Sequence, residues 1–251
     1  MAIHLSAAWL VLALVCRPTT DRILQISSSR DQQEITSHTS TEALAIRLPN
    51  PSFSKQAKKT KAEGQVVLSI GIGADGTIKN VSVLNGKTPI VDAVIPAVRD
   101  SRYLPAMQDG KFVESTKEIT IKYDFRKNAY QPEQLNGTLT EPPQELLNDV
   151  AAGRILRTGV GSGVNPPRAI IAPDPEYSEE ARRERFSGTV LLGVIVGSDG
   201  RPEKVWVVRS LGHGLDRQSV EAVKQWKFSP ATRNGEPVVV VLNVETSFYL
   251  Y

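Results

Sequence analysis

The sequence predicts an α+β fold made of two small antiparallel-sheet domains, each with helices packed on one face in the order helix, strand, strand, helix, strand. The first observation behind this prediction is an internal repeat: residues 49–59 and 64–70 return 124 positions later as residues 173–183 and 188–194. The second is that apolar alternation flanks an Asp-Gly pair in each copy, a pattern typical of a β-hairpin. A repeat of this length indicates two copies of one domain rather than a solenoid.

The first half of the module is clearest in the second copy. Ser178 is a suitable N-cap for a short helix with an acidic first turn and a basic last turn. Apolar residues alternate along residues 190–196, which predicts a strand that ends at the turn Asp199-Gly200. An apolar return strand follows this turn, so the segment reads as a hairpin.

A second helix and a long strand complete the module. Asp216 is the expected N-cap of this helix, and its predicted buried face consists of Ser219, Ala222, Val223 and Trp226. We interpret Trp226 and Phe228 as core residues. Asn234-Gly235 predicts a turn before a final strand at residues 238–248.

The matching helix of the first copy contains Pro96, which is expected to perturb it. An interior proline removes one backbone hydrogen bond and crowds the preceding turn. We therefore expect this helix to start late, near Ile95-Pro96, and to be shorter than the helix that follows Asp216.

Composition divides the chain into five parts. They are a signal peptide or short membrane anchor (residues 1–20), a polar tether (21–44), the divergent first copy (45–126), a Pro- and Gly-containing linker (127–165) and the second copy (166–251). A weak helix is predicted in the linker between Gln144 and Ala152. Fully extended, the linker would span roughly 130 Å. Because it separates the copies, residues 166–251 are expected to fold alone.

The amino-terminal apolar run leaves three interpretations open. Residues 7–15 carry no charge, but a transmembrane helix needs roughly 20 apolar residues. A cleaved signal peptide, an uncleaved anchor formed by residues 5–16 and a lipid anchor on Cys16 are the alternatives. Each predicts an exported protein, and because Cys16 is the single cysteine, the body of the chain forms no disulfide.

Several function classes are disfavoured by the charge and by the reactive side chains. A net charge of +3 is too small to indicate nucleic-acid binding. No spaced set of His, Cys and carboxylate residues indicates a metal site, and no nucleophile accompanies His213. Gly71, Gly73 and Gly76 match a dinucleotide fingerprint, but a hairpin follows them instead of a helix. We therefore predict a protein that is not an enzyme and has no cofactor and no metal.

Taken together, the motifs of the second copy resemble the TonB C-terminal domain family. These motifs are Pro175-x-Tyr177, Gly188-Thr-Val-x-Leu, Asp199-Gly200-Arg201, Leu215-Asp216, Ala222-Val-Lys-Gln-Trp-Lys-Phe-Ser-Pro-Ala231, Gly235-x-Pro-Val238 and Asn243-Val-Glu-x-x-Phe248. Ser178 stands where the family usually has a proline. The first copy resembles the family more faintly: it keeps the Asp75-Gly76 turn but has Ser101 where the second copy has Trp226.

The resemblance implies a role and a set of partners. TonB proteins are anchored in the inner membrane of Gram-negative bacteria, are energised by a proton-driven motor complex, and pull on outer-membrane transporters across the periplasm. Their C-terminal domain grips the extended N-terminal segment of a transporter by adding it to a sheet edge, a contact made mainly by backbone hydrogen bonds. By resemblance, this chain is expected to be periplasmic and to bind transporter segments and the motor complex. The alternative is an exported adaptor that binds extended peptides or forms a homodimer without energy coupling.

The candidate docking strand is the final one, residues 238–248. The residues expected to contact a partner are Val239, Val241, Asn243, Glu245, Ser247 and Tyr177. The competing interpretation is an interior or self-paired strand, because a valine-rich run also suits a buried strand.

Overall fold

Two copies of one strand-and-helix arrangement make up most of the part of the chain that the computed structural model describes, namely residues 40–54, 59, 63–125, 141–159 and 161–249. The predicted leader, residues 1–20, lies outside these ranges. The strands of the first copy and of the segment before it are β1 (Ser40–Thr41), β2 (Leu44–Arg47), β3 (Glu63–Ile72), β4 (Ile78–Asn85), β5 (Arg102–Leu104), β6 (Ala106–Gln108), β7 (Lys111–Val113) and β8 (Ser115–Asp124). The remaining strands are β9 (Leu156–Arg157), β10 (Arg168–Ile171), β11 (Gly188–Val196), β12 (Pro202–Arg209), β13 (Lys227–Ser229), β14 (Ala231–Arg233), β15 (Glu236–Val238) and β16 (Val240–Phe248). The described helices are α1 (Thr88–Arg99), α2 (Leu146–Ala151), α3 (Glu179–Glu184) and α4 (Leu215–Lys224), and none of them combines the length and apolar composition that crossing a lipid bilayer requires.

One sheet topology occurs in both copies. In the first copy β3 lies between β4 and β8, and in the second β11 lies between β12 and β16. The same small pairs flank each sheet, β2 with β5 and β6 with β7 in the first copy, β10 with β13 and β14 with β15 in the second. The predicted α+β class with antiparallel sheets is confirmed. The sequence did not predict β9, which extends the second sheet in parallel beside β16.

The Asp-Gly turns do more than reverse the chain. Gly76 and Gly200 have φ values of 78° and 80°, a conformation that glycine adopts at little cost. A Cβ at these positions would lie 2.0 Å from the carbonyl oxygen of Tyr103 and 2.1 Å from that of Phe228. The amides of the same two residues donate to the glycine carbonyls at 3.0 and 2.8 Å. Each turn is therefore hydrogen-bonded to the short strand that follows the long helix of its copy, β5 after α1 and β13 after α4.

Helix α1 covers the sheet of the first copy, and it does not start late. The prediction is wrong, because α1 begins at Thr88 and has 12 residues, whereas α4 has 10. Pro96 lies inside the helix and is exposed. An interior proline costs about 3 kcal/mol, but burial of an apolar side chain contributes about 1.5–3 kcal/mol. Four such side chains outweigh the proline: Ile90, Val91, Val94 and Val98.

Helices α3 and α4 cover one face of the second sheet. The predicted cap of α3 is confirmed, since the Ser178 Oγ accepts a hydrogen bond from the Ala181 amide at 3.1 Å. Phe228 is buried, as expected of a core residue. Trp226 is only half-buried, lies beyond the end of α4, and donates from Nε1 to the carbonyl of Pro173 at 3.1 Å. The core assignment therefore holds for Phe228 and only in part for Trp226.

Asp216 does not occupy the N-cap of α4, in contrast to the prediction. Gly214 takes that position with φ 75°, and Asp216 is the second residue of the helix. Its fully buried carboxylate accepts hydrogen bonds from the amides of Leu211 at 2.7 Å and Gly212 at 3.1 Å, and from the hydroxyl of Ser210. The carboxylate therefore orders the loop between β12 and α4.

We expect Asp216→Ala to lower the free energy of unfolding by about 3 kcal/mol. The substitution leaves two amides without their acceptor, and an unsatisfied buried polar group costs about 1–3 kcal/mol. Chemical denaturation of the full chain measures the loss. The control is Glu221→Ala on the same helix, which removes only an exposed ion pair with Lys224 and should cost about 0.5 kcal/mol or less. Equal losses in both variants would contradict the role given to Asp216.

A third apolar cluster, here called the inter-copy cluster, joins the two copies. Its buried members are Ile46, Leu104, Leu146, Val150, Ile155, Ile195, Trp206, Val208 and Val241. Ile46 and Leu104 belong to the first copy. Residues 141–157 contribute Leu146, Val150 and Ile155. The second sheet contributes Ile195, Trp206, Val208 and Val241. The predicted linker helix is confirmed as α2. Its segment packs on the second copy, so the second sheet buries apolar side chains on both faces.

Hydrogen bonds reinforce this contact along β2. The Leu48 amide donates to the carbonyl of Val208 at 2.7 Å, and the Trp206 Nε1 donates to the carbonyl of Ile46 at 3.0 Å. The described residues between Ser40 and Tyr249 accordingly belong to one compact unit. This shared core weighs against the expectation that residues 166–251 fold alone.

Candidate functional site

Strand β16 has one paired side and one side that is paired only in part. Along its inner side it pairs with β11 from Val240, opposite Val196, to Phe248, opposite Gly188. On its outer side β9 pairs only with Val240 and Val241. A two-residue strand therefore covers the beginning of the outer edge.

The direction of the backbone N–H and C=O groups of β16 shows which of its residues face outward beyond the part that β9 covers. The Leu156 amide of β9 donates to the carbonyl of Val239 at 2.8 Å. Backbone groups alternate in direction along a strand, so those of Asn243, Glu245 and Ser247 point the same way as those of Val239. Within the described ranges, no strand pairs with these three residues on the outer side of β16. We call residues 243–247 the open edge.

Four of the six residues expected to contact a partner form two groups. Val239 and Val241 lie where β9 pairs with β16, and Val241 is buried in the inter-copy cluster. Glu245 and Ser247 are exposed, and the Ser247 hydroxyl lies 3.2 Å from that of Thr189. Only the second group presents both side chain and backbone at the open edge.

Asn243 belongs to the open edge by its backbone alone. Its Nδ2 donates to the carbonyl of Ala45 at 3.1 Å, which joins the second sheet to the first copy. Its Oδ1 is buried and has no hydrogen-bond partner among the residues that the structure describes. The side chain is therefore part of the contact between the copies.

Tyr177 is half-buried and packs against the core of the second copy instead of lying at the open edge. Its ring meets Phe248 edge-on, with centroids 5.4 Å apart and an interplanar angle of 85°. The hydroxyl donates to the carbonyl of Phe186 at 2.9 Å. Burial raises the pKa of the Tyr177 phenol above its usual value. The geometry thus gives Tyr177 a packing role, while a partner contact by this residue stays a prediction.

Arg157 in β9 is a residue that the sequence reasoning missed. Its buried guanidinium donates to the carbonyls of Pro105 and Glu42, so it fastens β9 to the first copy. Burial lowers the pKa of Arg157 to about 10. A single arginine in a segment without periodicity carries no sequence signal for such a role. Arg157 therefore helps to hold in place the strand that covers the beginning of the β16 edge.

Comparison with known families agrees with the repeat. The sequence model described as Gram-negative bacterial TonB protein C-terminal matches residues 49–125 and 173–250, together more than half of the chain. The chain belongs to the TonB C-terminal domain family. Both copies are therefore TonB C-terminal domains, including the first, whose motifs are faint.

Curated relatives match only part of the chain. It is 47% identical over 65 residues to Protein tonB2 of Pseudomonas aeruginosa, covering 26% of this chain and 24% of that protein. It is 34% identical over 89 residues to Protein TonB of Vibrio cholerae, covering 35% and 36%, and 32% identical over 92 residues to Protein TonB of Xanthomonas campestris pv. campestris, covering 36% and 41%. The chain therefore spans less than half the length of each relative.

Among solved structures, the solution NMR structure of Pseudomonas aeruginosa TonB CTD is similar to this chain. The identity is 22% and the TM-score is 0.31, with 36% of this chain and 92% of that one covered. The fold assignment of the two TonB C-terminal domains rests on their own strands and helices.

Proposed function

We propose that this chain is a periplasmic TonB-like protein. It binds extended amino-terminal segments of outer-membrane transporters by strand addition at the open edge. It couples energy from an inner-membrane proton-driven motor complex to transport. The observation that carries the proposal is a partly uncovered β16 edge in a chain of the TonB C-terminal domain family.

Backbone pairing at the open edge accounts for only part of the expected affinity. Asn243, Glu245 and Ser247 together offer three amides and three carbonyls. At a net contribution of about 1 kcal/mol each, these groups give about 6 kcal/mol before any cost of ordering the peptide. A micromolar complex requires about 8 kcal/mol. Side chains of the bound segment must therefore contribute, and Glu245 favours a cationic residue beside it.

Replacing Glu245 by proline is expected to weaken binding of transporter peptides at least about tenfold. Proline removes an outward-facing amide donor, which edge strands tolerate because no bond within the sheet is lost. Fluorescence anisotropy measures the effect, with labelled peptides from transporter amino-terminal segments titrated by the full chain. Far-ultraviolet circular dichroism confirms that the variant is folded.

The matched control is Glu245→Ala, which removes the carboxylate but keeps the amide. If backbone pairing dominates, the alanine variant should bind within about threefold of the unmodified chain. Equal weakening by alanine and proline would mean that the side chain, not the backbone, makes the contact. The strand-addition proposal would also fail if no transporter peptide bound saturably to the unmodified chain.

An exported adaptor without energy coupling is the second candidate, and one observation favours it. Residues 141–157, expected to lie in an extended linker, are folded against the second copy and give no reach across the periplasm. Such an adaptor would bind extended peptides, or form a homodimer through the open edge.

Membrane fractionation with N-terminal sequencing of the mature protein separates the two candidates. An uncleaved leader in the membrane fraction supports energy transduction. A cleaved and soluble product supports the adaptor, and sedimentation analysis then tests for the homodimer.

A further inference from the structure

A buried histidine and two glutamates meet where α3 faces the loop before α4. The Nδ1 atom of His213 lies 3.3 Å from the Oε2 atom of Glu184 and 3.7 Å from the Oε1 atom of Glu180. One ligand atom from each of the three residues lies within 4.8 Å of the other two. The glutamates are four residues apart on α3 and therefore share one face of the helix.

The imidazole of His213 is buried without a hydrogen bond. The residue is 2% exposed, and neither ring nitrogen has a hydrogen-bond partner among the residues that the structure describes. One face of the ring lies against Phe186, with centroids 4.0 Å apart. Leaving a buried polar group unsatisfied costs about 1–3 kcal/mol. The ring is therefore aimed at two carboxylates without forming a hydrogen bond to either.

The loop that carries His213 is held in place from both sides. His213 itself adopts a left-handed conformation with φ 55°. Its carbonyl accepts a hydrogen bond from the Ser178 hydroxyl at the N-cap of α3. The Asp216 carboxylate binds the amides of the two preceding residues, Leu211 and Gly212. The backbone that carries the imidazole is thereby held beside α3.

We propose that His213, Glu180 and Glu184 form a three-ligand site for a divalent transition-metal ion, with Zn²⁺ as the best match. One imidazole and two carboxylates are a ligand set that zinc accepts. With metal–ligand bonds of about 2.1 Å, ligand atoms on a tetrahedral ion lie about 3.4 Å apart. The distances of 3.3 and 3.7 Å from Nδ1 bracket this value.

The surroundings of the cluster are compatible with entry of an ion. The side chains of Glu180 and Glu184 are 47% and 36% exposed, so the carboxylate side of the site opens to solvent. A water molecule would complete the coordination there. A bound ion would give Nδ1 a direct bond and would tie α3 to the loop before α4. A ligand that binds the folded state but not the unfolded state stabilises the folded state. Zinc should therefore raise the midpoint temperature of thermal unfolding.

The test is zinc binding by the tag-free full chain. ZnCl₂ is titrated in competition with a chromophoric chelator, and Co²⁺ substitution reports the ligand geometry through visible absorption. Glu184→Gln and Glu180→Gln should each weaken zinc binding at least about tenfold, since even an outer-shell partner changes affinity 10- to 100-fold. The control is Glu179→Gln, which makes the same charge change on α3 outside the cluster and should leave the affinity unchanged. His4, His38 and Cys16 are common to all variants, so the differences report the cluster.

His213→Gln tests the third ligand and should abolish the Co²⁺ absorption of a nitrogen-containing site. If that variant does not fold, the two glutamate variants decide the question. The proposal is overturned if the unmodified chain shows no saturable zinc binding, or if Glu184→Gln and Glu180→Gln bind zinc as Glu179→Gln does. Equal affinity for Ca²⁺ and Zn²⁺ would overturn the assignment to a transition metal.

Discussion

Trp206→Ala should lower the free energy of unfolding of the full chain by about 3–5 kcal/mol, the range for removing a buried aromatic side chain. Trp206 is fully buried in the inter-copy cluster. Its indole lies over Gly193, where a Cβ would be 2.2 Å from the ring, so this neighbour has no side chain to fill the space that the indole leaves. The carbonyl of Ile46 would also lose the indole donor that it has at 3.0 Å.

Chemical denaturation followed by circular dichroism measures this effect, and Trp226→Ala is its matched control. Trp226 is half-buried on the rim of the second core, so its removal should cost about 1 kcal/mol, as for a typical substitution. Limited proteolysis adds a second readout, because loss of Trp206 should loosen β2 and expose it to cleavage. Equal destabilisation by the two substitutions would contradict the special position of Trp206.

Features that depend on local pattern were predictable from the sequence. The Ser178 cap, the Asp199-Gly200 turn and the alternating strands each require only neighbouring residues, and the structure has all three. Helix α1 was misjudged because a local rule about Pro96 was applied without the burial of the helix on its sheet. Packing of the helix against residues distant in the sequence decided where the helix begins.

The sequence of β12 indicates that the strand is covered on both faces, but it does not identify the elements that cover the second face. In β12, Val205 and Val207 face the second core, whereas Trp206 and Val208 face the inter-copy cluster. A strand that is apolar on both faces indicates that both faces are buried. It does not show that β2 and α2 provide the second cover, because these elements lie far away in the sequence.

The same limit applies to the two candidate sites. The final strand was predicted as a docking edge, but β9 is only two residues long and gives no periodic signal, so the covered part of the edge was not foreseen. The expectation of no metal site considered spacing along the chain. His213 and the glutamates of α3 come together only because the loop and the helix pack on each other.

Removing the first copy together with residues 127–165 should destabilise the second copy more than any single substitution does. A fragment of residues 166–251 exposes four residues that are buried in the full chain: Ile195, Trp206, Val208 and Val241. Burial of one aliphatic side chain contributes about 1.5–3 kcal/mol, so the total loss is roughly 6 kcal/mol or more. This loss is comparable to the whole stability of a typical domain, about 5–15 kcal/mol. We therefore expect this fragment to aggregate or to unfold without cooperativity.

Three fragments measured in parallel by thermal and urea unfolding test this expectation. Residues 141–251 retain α2 and β9, which cover part of the exposed face, so this fragment should recover part of the stability. Residues 40–251 contain the complete inter-copy cluster and should unfold in one cooperative transition. The rank order matters more than the absolute values, because it follows the amount of apolar surface that each fragment leaves uncovered. If residues 166–251 unfolded cooperatively with the same midpoint as residues 40–251, the second copy would be an independent domain and the inter-copy cluster would contribute little to its stability.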